Sequence, residues 1–136
     1  MVCIYCGSPT RVTNSRKQKR QVGTWRRRLC TSCGALFTTH EQASLEGGFR
    51  FQKQNGDLEP FLRDNVFISI HDSCKHRNTA LTDATALTDT VIRSILALPT
   101  VDTGIITRAQ LLAIISQVLR QFDAAALAYF SAYHKL

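Results

Sequence analysis

Cys3-Ile4-Tyr5-Cys6 and Arg26-Arg27-Arg28-Leu29-Cys30-Thr31-Ser32-Cys33 decide how this chain is read. The two Cys-x2-Cys pairs are separated by 23 residues, and each is followed directly by a glycine, Gly7 or Gly34. A two-residue spacer lets one tight turn present two thiolates to one ion, and structural Zn²⁺ takes four such ligands in a tetrahedron. Cys3, Cys6, Cys30 and Cys33 supply all four and leave no open position for a substrate water. The spacing therefore predicts one structural zinc and no catalytic metal. An iron-sulfur centre is the other metal reading of four thiolates. A redox role for a Cys-x2-Cys pair belongs with a βαβ pattern that neither pair has around it. The total of five cysteines is odd, which argues against a disulfide framework.

Around the pairs the chain is poor in large apolar side chains: Val2, Ile4, Tyr5, Val12, Val22, Trp25, Leu29, Leu36 and Phe37 are the main ones in residues 1–41. A segment this small cannot stabilise itself by burial alone, and a metal supplies the missing folding energy. Alternation and β-formers near residues 10–13, 22–29 and 35–39 predict three short strands, giving a zinc ribbon. The same segment is strongly basic. Arg11, Arg16, Lys17, Lys19, Arg20, Arg26, Arg27 and Arg28 precede His40 with no acidic residue among them. Beyond His40 nine basic residues face ten acidic ones, so the formal net charge of +7 arises entirely in the ribbon. Such asymmetry marks a polyanion-binding segment, because Lys and Arg neutralise phosphates and release counterions. These eight residues are the expected contacts to nucleic acid, set against the plainer reading of a charge run as a solvated surface. Arg26 and Arg28 fall on one face of a strand and Arg27 on the other, so the three cannot meet one groove together. Trp25 is either a stacking platform for a base or a filler of the thin core.

Residues 42–48 end in a glycine pair without periodicity and read as a linker. Phe49 and Phe51 then alternate with polar residues, and Asn55-Gly56 predicts a hairpin turn at 55 and 56, with Pro60 ending the second strand. Four helices follow from apolar spacing, over about 62–76, 82–97, 108–121 and 124–134, with Thr107 and Asp123 as N-caps. Cys74 lies on the apolar face of the first and reads as a core cysteine; His71, three residues earlier, permits a second metal site to be drawn. With 44% hydrophobic and 20% charged residues in 136, the chain can bury a core. No apolar run approaches a membrane span and the first residues lack the features of a secretory signal, which points to the cytoplasm. The sequence has no P-loop, no His-Glu-x-x-His, no Gly-x-Ser-x-Gly and no paired-carboxylate signature, so an enzyme is not expected.

Cys3-x-x-Cys6, Val12-Thr-Asn-Ser-Arg16, Arg26-Arg-Arg-Leu-Cys30-x-x-Cys33 and Phe37-Thr-Thr-His-Glu41 resemble the zinc ribbon of the NrdR family, bacterial transcriptional repressors of ribonucleotide reductase genes. Phe51-Gln-Lys-Gln-Asn-Gly-Asp-Leu-Glu-Pro-Phe61 and Phe122-Asp-Ala-Ala-Ala-Leu-Ala-Tyr-Phe-Ser-Ala-Tyr133 are similar to parts of the family's second domain, an ATP-cone. The resemblance implies an α+β chain: a three-stranded zinc ribbon over residues 1–41 that binds DNA, then an ATP-cone-like β-hairpin plus four-helix bundle over 49–136. That domain would bind ATP or dATP, associate with further copies of itself, and shift the oligomer between states that do and do not bind promoter DNA. Carried over residue by residue, the nucleotide site comprises Phe51, Lys53, Gln54, Asn55, Gly56, Glu59, Asn65 and Tyr129. The family pattern is broken at Asn14, Trp25, Gln54, Asn55, Leu62 and Asn65, and two of these changes remove a cation from the cone, leaving Lys53 with Arg50 or Arg63 as substitutes. The alternative is a zinc-ribbon adaptor for nucleic acid whose cone is a protein-interaction domain that no longer binds nucleotide. The implied location is the cytoplasm, at the nucleoid.

Overall fold

The computed structural model describes residues 1–19, 23–45, 47–99 and 103–134; Arg20 and Val22 fall outside the described residues. The chain is α+β and divides into two compact units, Met1–Ala43 and Ser44–Leu136.

The first unit is an antiparallel sheet of β1 (Thr10–Lys17), β2 (Gly23–Cys30) and β3 (Leu36–Gln42) in the order β1-β2-β3. β1 runs four residues further than its alternation predicts, so Arg16 and Lys17 lie in a strand rather than in a loop. Pairing with β2 supplies the backbone partners that polar residues 14–17 would not attract by propensity. The register shifts between Val12 and Asn14, leaving Thr13 as the extra residue of a bulge. Among the described residues the buried apolar side chains of this unit are Cys3, Cys30 and Phe37, with Ala35 packed against them.

The second unit begins earlier than a linker over 42–48 allows. Gln42 pairs with Gly23 in the ribbon, whereas Leu45 is buried in the second core and its carbonyl accepts from the N–H groups of Gly48 and Phe49. β4 (Arg50–Gln52) is the centre of a three-stranded sheet, antiparallel to β5 (Leu58–Pro60) and parallel to β6 (Ile105–Thr107). The hairpin turn is centred on Gln54 and Asn55, not on 55 and 56. The Gly56 N–H donates to the Lys53 carbonyl and Lys53 N–H to that of Asp57, with Gly56 at φ 90°, a longer loop closed by a left-handed glycine. β6 has no counterpart in the sequence reading, because three residues next to a helix cap carry too little periodicity to register as a strand.

Helices α1 (Arg63–Ser73), α2 (Ala80–Leu96), α3 (Arg108–Phe122) and α4 (Ala124–His134) form a bundle in which α1 and α3 each pack against α2 and α4. The first ends three residues before 76, with Cys74 as its C-cap. Its stripe is buried at Val66, Ile70 and Cys74, but Leu62 is 40% exposed because it precedes the helix. Thr107 caps α3 in a reciprocal box with Gln110, and the Asp123 carboxylate accepts from the N–H groups of Ala125 and Ala126. Arg77 bridges Asp83 at 2.8 Å and Asp123 at 3.0 Å, tying the turn after α1 to the starts of α2 and α4. Among the described residues no helix is long and apolar enough to cross a membrane.

Candidate functional site

Two matching turns build the metal centre. In each, the first cysteine's N–H donates to a carbonyl five residues on, Cys3 to Ser8 and Cys30 to Ala35, and the glycine after the second cysteine takes φ 73° (Gly7) or 71° (Gly34). An L side chain at either glycine would be strained, which is why each pair is followed by one. Backbone N–H groups aim at sulfur, Tyr5 at Cys3 Sγ and both Ser32 and Cys33 at Cys30 Sγ, all at 3.4 Å. The four Sγ atoms lie within 4.8 Å of one another, with Cys3–Cys33 at 3.8 Å and Cys6–Cys30 at 3.5 Å. A tetrahedron with Zn–S bonds of about 2.3 Å has edges of about 3.8 Å, so the four sulfurs fit a zinc ion. Cys3 and Cys30 are buried while Cys6 and Cys33 face solvent.

The thiols themselves call for a cation. Hydrogen bonds from the Ser8 side chain and backbone hold Cys6 down at about 6. The Cys33 N–H, with that of Ser32, lowers Cys30 against the opposing effect of burial. At Cys33 the Ala35 N–H pulls downward, but hydrogen bonding with Cys30, Cys6 and Cys3 and burial leave the thiol up at about 12. Crowded sulfurs cannot all ionise by themselves, whereas a dication at their centre lets all four do so and releases protons as it binds. Among the described residues these cysteines are the one grouping whose ligand atoms converge in this way. His71 instead stacks on Phe67 at 5.9 Å, and Cys74 is fully buried with burial pushing its thiol up.

The ribbon sheet sorts its cations by face. Cross-strand register puts Thr10, Val12, Ser15, Lys17, Arg26 and Arg28 on the face that carries Phe37 and Glu41. There Arg26 Nε donates to Glu41 at 2.9 Å and its Nη1 to Ser15 at 3.3 Å. Arg28 donates to Thr39 at 3.1 Å and Thr10 at 3.4 Å. The opposite face carries Arg11, Asn14, Arg16, Trp25, Arg27, Thr38 and His40, with no acidic side chain. Arg11 and Arg16 are five apart and would fall on opposite faces of a regular strand; the bulge at Thr13 brings them together. Arg16 sits over the Trp25 ring at 5.8 Å and Arg27 donates to Thr38 at 3.2 Å. Asn14, Trp25, Arg27, Thr38 and His40 line a depression of about 480 Å³. Lys19 is exposed just beyond β1, and Arg20 lies outside the described residues.

The residues assigned to a nucleotide by resemblance divide among four places. Lys53 and Gln54 line a cavity of about 830 Å³ along α3, whereas Phe51, Glu59 and Asn65 line another of about 190 Å³ beneath the hairpin. Asn55 and Gly56 are exposed at the hairpin tip, where Asn55 bonds Asp57 through both its amide atoms. Tyr129 lines neither cavity; it is half exposed and packs on His76 at 5.4 Å. Lys53 is paired with Glu59 at 2.6 Å, and that hydrogen bond and charge raise its pKa. Arg63 is bonded to Asp89 at 2.6 Å, and Arg50 is exposed on β4. The cation common to both cavities is Arg108, which donates to the His134 carbonyl at 3.2 Å; Arg120 joins it in the larger one. His134, in the smaller cavity, has its pKa lowered by burial and by Arg108. Ser116 has a buried hydroxyl without a hydrogen-bond partner among the described residues. Nothing in local spacing singles out Arg108, Arg120 or His134, because β6 determines how α3 meets the hairpin.

Comparison with known proteins agrees with this geometry. The family described as "Transcriptional repressor NrdR-like, N-terminal domain" matches residues 1–41. Curated proteins named "Transcriptional repressor NrdR" are similar over longer stretches. One from Parafrankia sp. is 37% identical over 67% of this chain and 47% of its own length, and one from Clavibacter michiganensis 36% identical over 71% and 60%. The chain thus spans about half the length of these relatives. That of Tropheryma whipplei is 34% identical over 98% of this chain and 87% of its own length. Converging thiolates, the ribbon that holds them and a likeness that runs on through the second unit together place the chain in the NrdR family of transcriptional repressors.

Proposed function

We propose that the chain is a DNA-binding transcriptional repressor that controls ribonucleotide reductase genes in response to ATP and dATP. The observation that carries this reading is the zinc-sized cluster of sulfurs holding a sheet with one acid-free, arginine-bearing face. Cys3, Cys6, Cys30 and Cys33 would hold a zinc that supplies folding energy and no open coordination site. Arg11, Arg16 and Arg27 meet double-stranded promoter DNA from that face, with Lys19 and Arg20 contacting phosphates; Lys17, on the other face, reaches a phosphate only at the sheet's edge. Arg26 and Arg28 serve chiefly to brace the sheet, since Glu41 and Ser15 engage two nitrogens of the one guanidinium and Thr39 and Thr10 two of the other. One ribbon offers too little surface for high specificity, so paired half-sites read by an oligomer follow. In this reading the unit Met1–Ala43 binds DNA, and Ser44–Leu136 binds nucleotide and self-associates in the bacterial cytoplasm. Arg108, with Lys53 and Arg120, would meet the phosphates. Nucleotide can favour repression only by binding the DNA-competent assembly more tightly. A gel-shift series in rising salt tests the DNA contact. About six phosphate contacts give a log-log slope near −5, and a flat response overturns it.

A second reading is favoured by the Lys53–Glu59 pair and by uncharged Asn65. Here the second unit ignores nucleotide and binds protein. Calorimetry with ATP and dATP separates the two, because saturable micromolar binding excludes the adaptor.

A further inference from the structure

We propose that the depression formed by Asn14, Trp25, Arg27, Thr38 and His40 is a base-reading subsite that takes the edge of a guanine in duplex DNA. The inference rests on the DNA-binding reading and goes further, from phosphate contact to sequence preference. Its donor inventory decides the ligand. Asn14 Oδ1 already accepts from the Ser15 N–H at 2.8 Å, which leaves the amide NH₂ to donate outward. Arg27 spends one N–H on Thr38 and keeps the rest of its fork. No carboxylate lines the depression. A pocket rich in donors suits a ligand edge made of acceptors, and in the major groove guanine offers two together, O6 and N7.

Phosphate oxygens are acceptors as well. Two observations favour the base. Half-buried Trp25 lines the depression, and beyond its single N–H donor the indole offers an apolar surface that packs against the apolar edge of a neighbouring base such as the thymine methyl, a contact a phosphate does not provide. Arg11 and Arg16 stand on the same face outside the depression, where they meet the flanking phosphates.

Trp25 is the chain's single tryptophan, so its fluorescence reports on this subsite alone. The zinc-loaded full chain is titrated with labelled duplexes of equal length and charge. One is a dG-dT repeat paired with dA-dC, another a dA-dT repeat, and the last the dG-dT repeat with 7-deazaguanine in place of guanine. Label anisotropy follows binding and Trp25 emission follows the depression. The expected result is binding about tenfold tighter to the guanine duplex than to the other two, with a change in Trp25 emission. Arg27→Lys, which keeps the charge but loses the fork, should erase that preference and leave the salt slope unchanged. Equal affinity for all three duplexes, or a preference that survives 7-deazaguanine, overturns the guanine subsite while DNA binding stands. Unchanged Trp25 emission during a full anisotropy change does the same. No anisotropy change with any duplex removes the DNA-binding reading itself.

Discussion

Among the described residues the first unit buries the apolar side chains Cys3, Cys30 and Phe37, two of them in the candidate zinc cluster, whereas the second buries Phe61, Ile70, Val91, Ile95, Ile106, Leu119 and Phe130 around one core. Each large side chain so buried contributes about 1.5–3 kcal/mol. The ribbon has no comparable reserve, and its two outer strands are mostly exposed. A fold that needs little core frees its surface, and the ribbon uses that freedom to display cations on a sheet face. The second unit puts its charges into bridges instead, Arg77 with Asp83 and Asp123, Arg63 with Asp89, and Lys53 with Glu59.

Removing metal should therefore divide the molecule. Chelation, or Cys30→Ser, withdraws a binding energy of about 10–16 kcal/mol and unfolds the ribbon, while helical circular dichroism and its melting temperature stay as they were. Loss of helix on chelation would show that the second unit depends on the first. The converse experiment is Phe130→Ala. It leaves a void in the bundle at a cost of about 3–5 kcal/mol and lowers the helical melt, with zinc stoichiometry unaffected.

The contrast also explains what could be read in advance. The metal centre was legible because each half is local: two cysteines, a spacer and a glycine specify their own turn. Arg27 could be assigned opposite Arg26 and Arg28 because alternation within one strand is local too. The shared face of Arg11 and Arg16 was not legible, because it depends on an extra residue at Thr13 that only pairing with β2 defines. The charge count up to His40 likewise stopped one residue short of Glu41, which engages Arg26 across the sheet. In the second unit the helices followed from apolar spacing and Thr107 from cap chemistry. β6 did not, since its partner β4 is over fifty residues away, and with β6 went the placement of Arg108 beside the hairpin.

The two faces of the ribbon differ enough to be told apart by mutation. Under the proposed function Arg27→Ala weakens duplex binding by about 1–3 kcal/mol, as loss of a forked base contact does, whereas Arg26→Ala costs less because Glu41 holds that guanidinium. Glu41→Gln removes a negative charge from the ribbon and should tighten binding slightly while leaving the salt slope unchanged. Fluorescence anisotropy on the three variants checks the ranking, and an Arg26 effect equal to that of Arg27 would mean that both faces meet DNA.

The smallest expected effect lies in the charge network of the second unit. Asp123 accepts from His76 at 3.1 Å, from Arg77 and from the N–H groups of Ala125 and Ala126, and these partners hold its carboxyl down at about 2. An unfolded aspartate titrates near 3.9, so the folded state favours the carboxylate. The stability this contributes is fully present above about pH 4 and is lost as pH falls through the folded value near 2. The carboxylate is partly open to water, which keeps the contribution modest. Denaturant midpoints of the helical signal measured between pH 5 and pH 2 should fall for the native chain and fall less for Asp123→Asn, which keeps the shape but cannot ionise. Because no cysteine ligand belongs to this network, the difference should persist after chelation. Its disappearance in the metal-free chain would tie the acid response to the ribbon and erase the distinction between a unit held by metal and a unit held by its core.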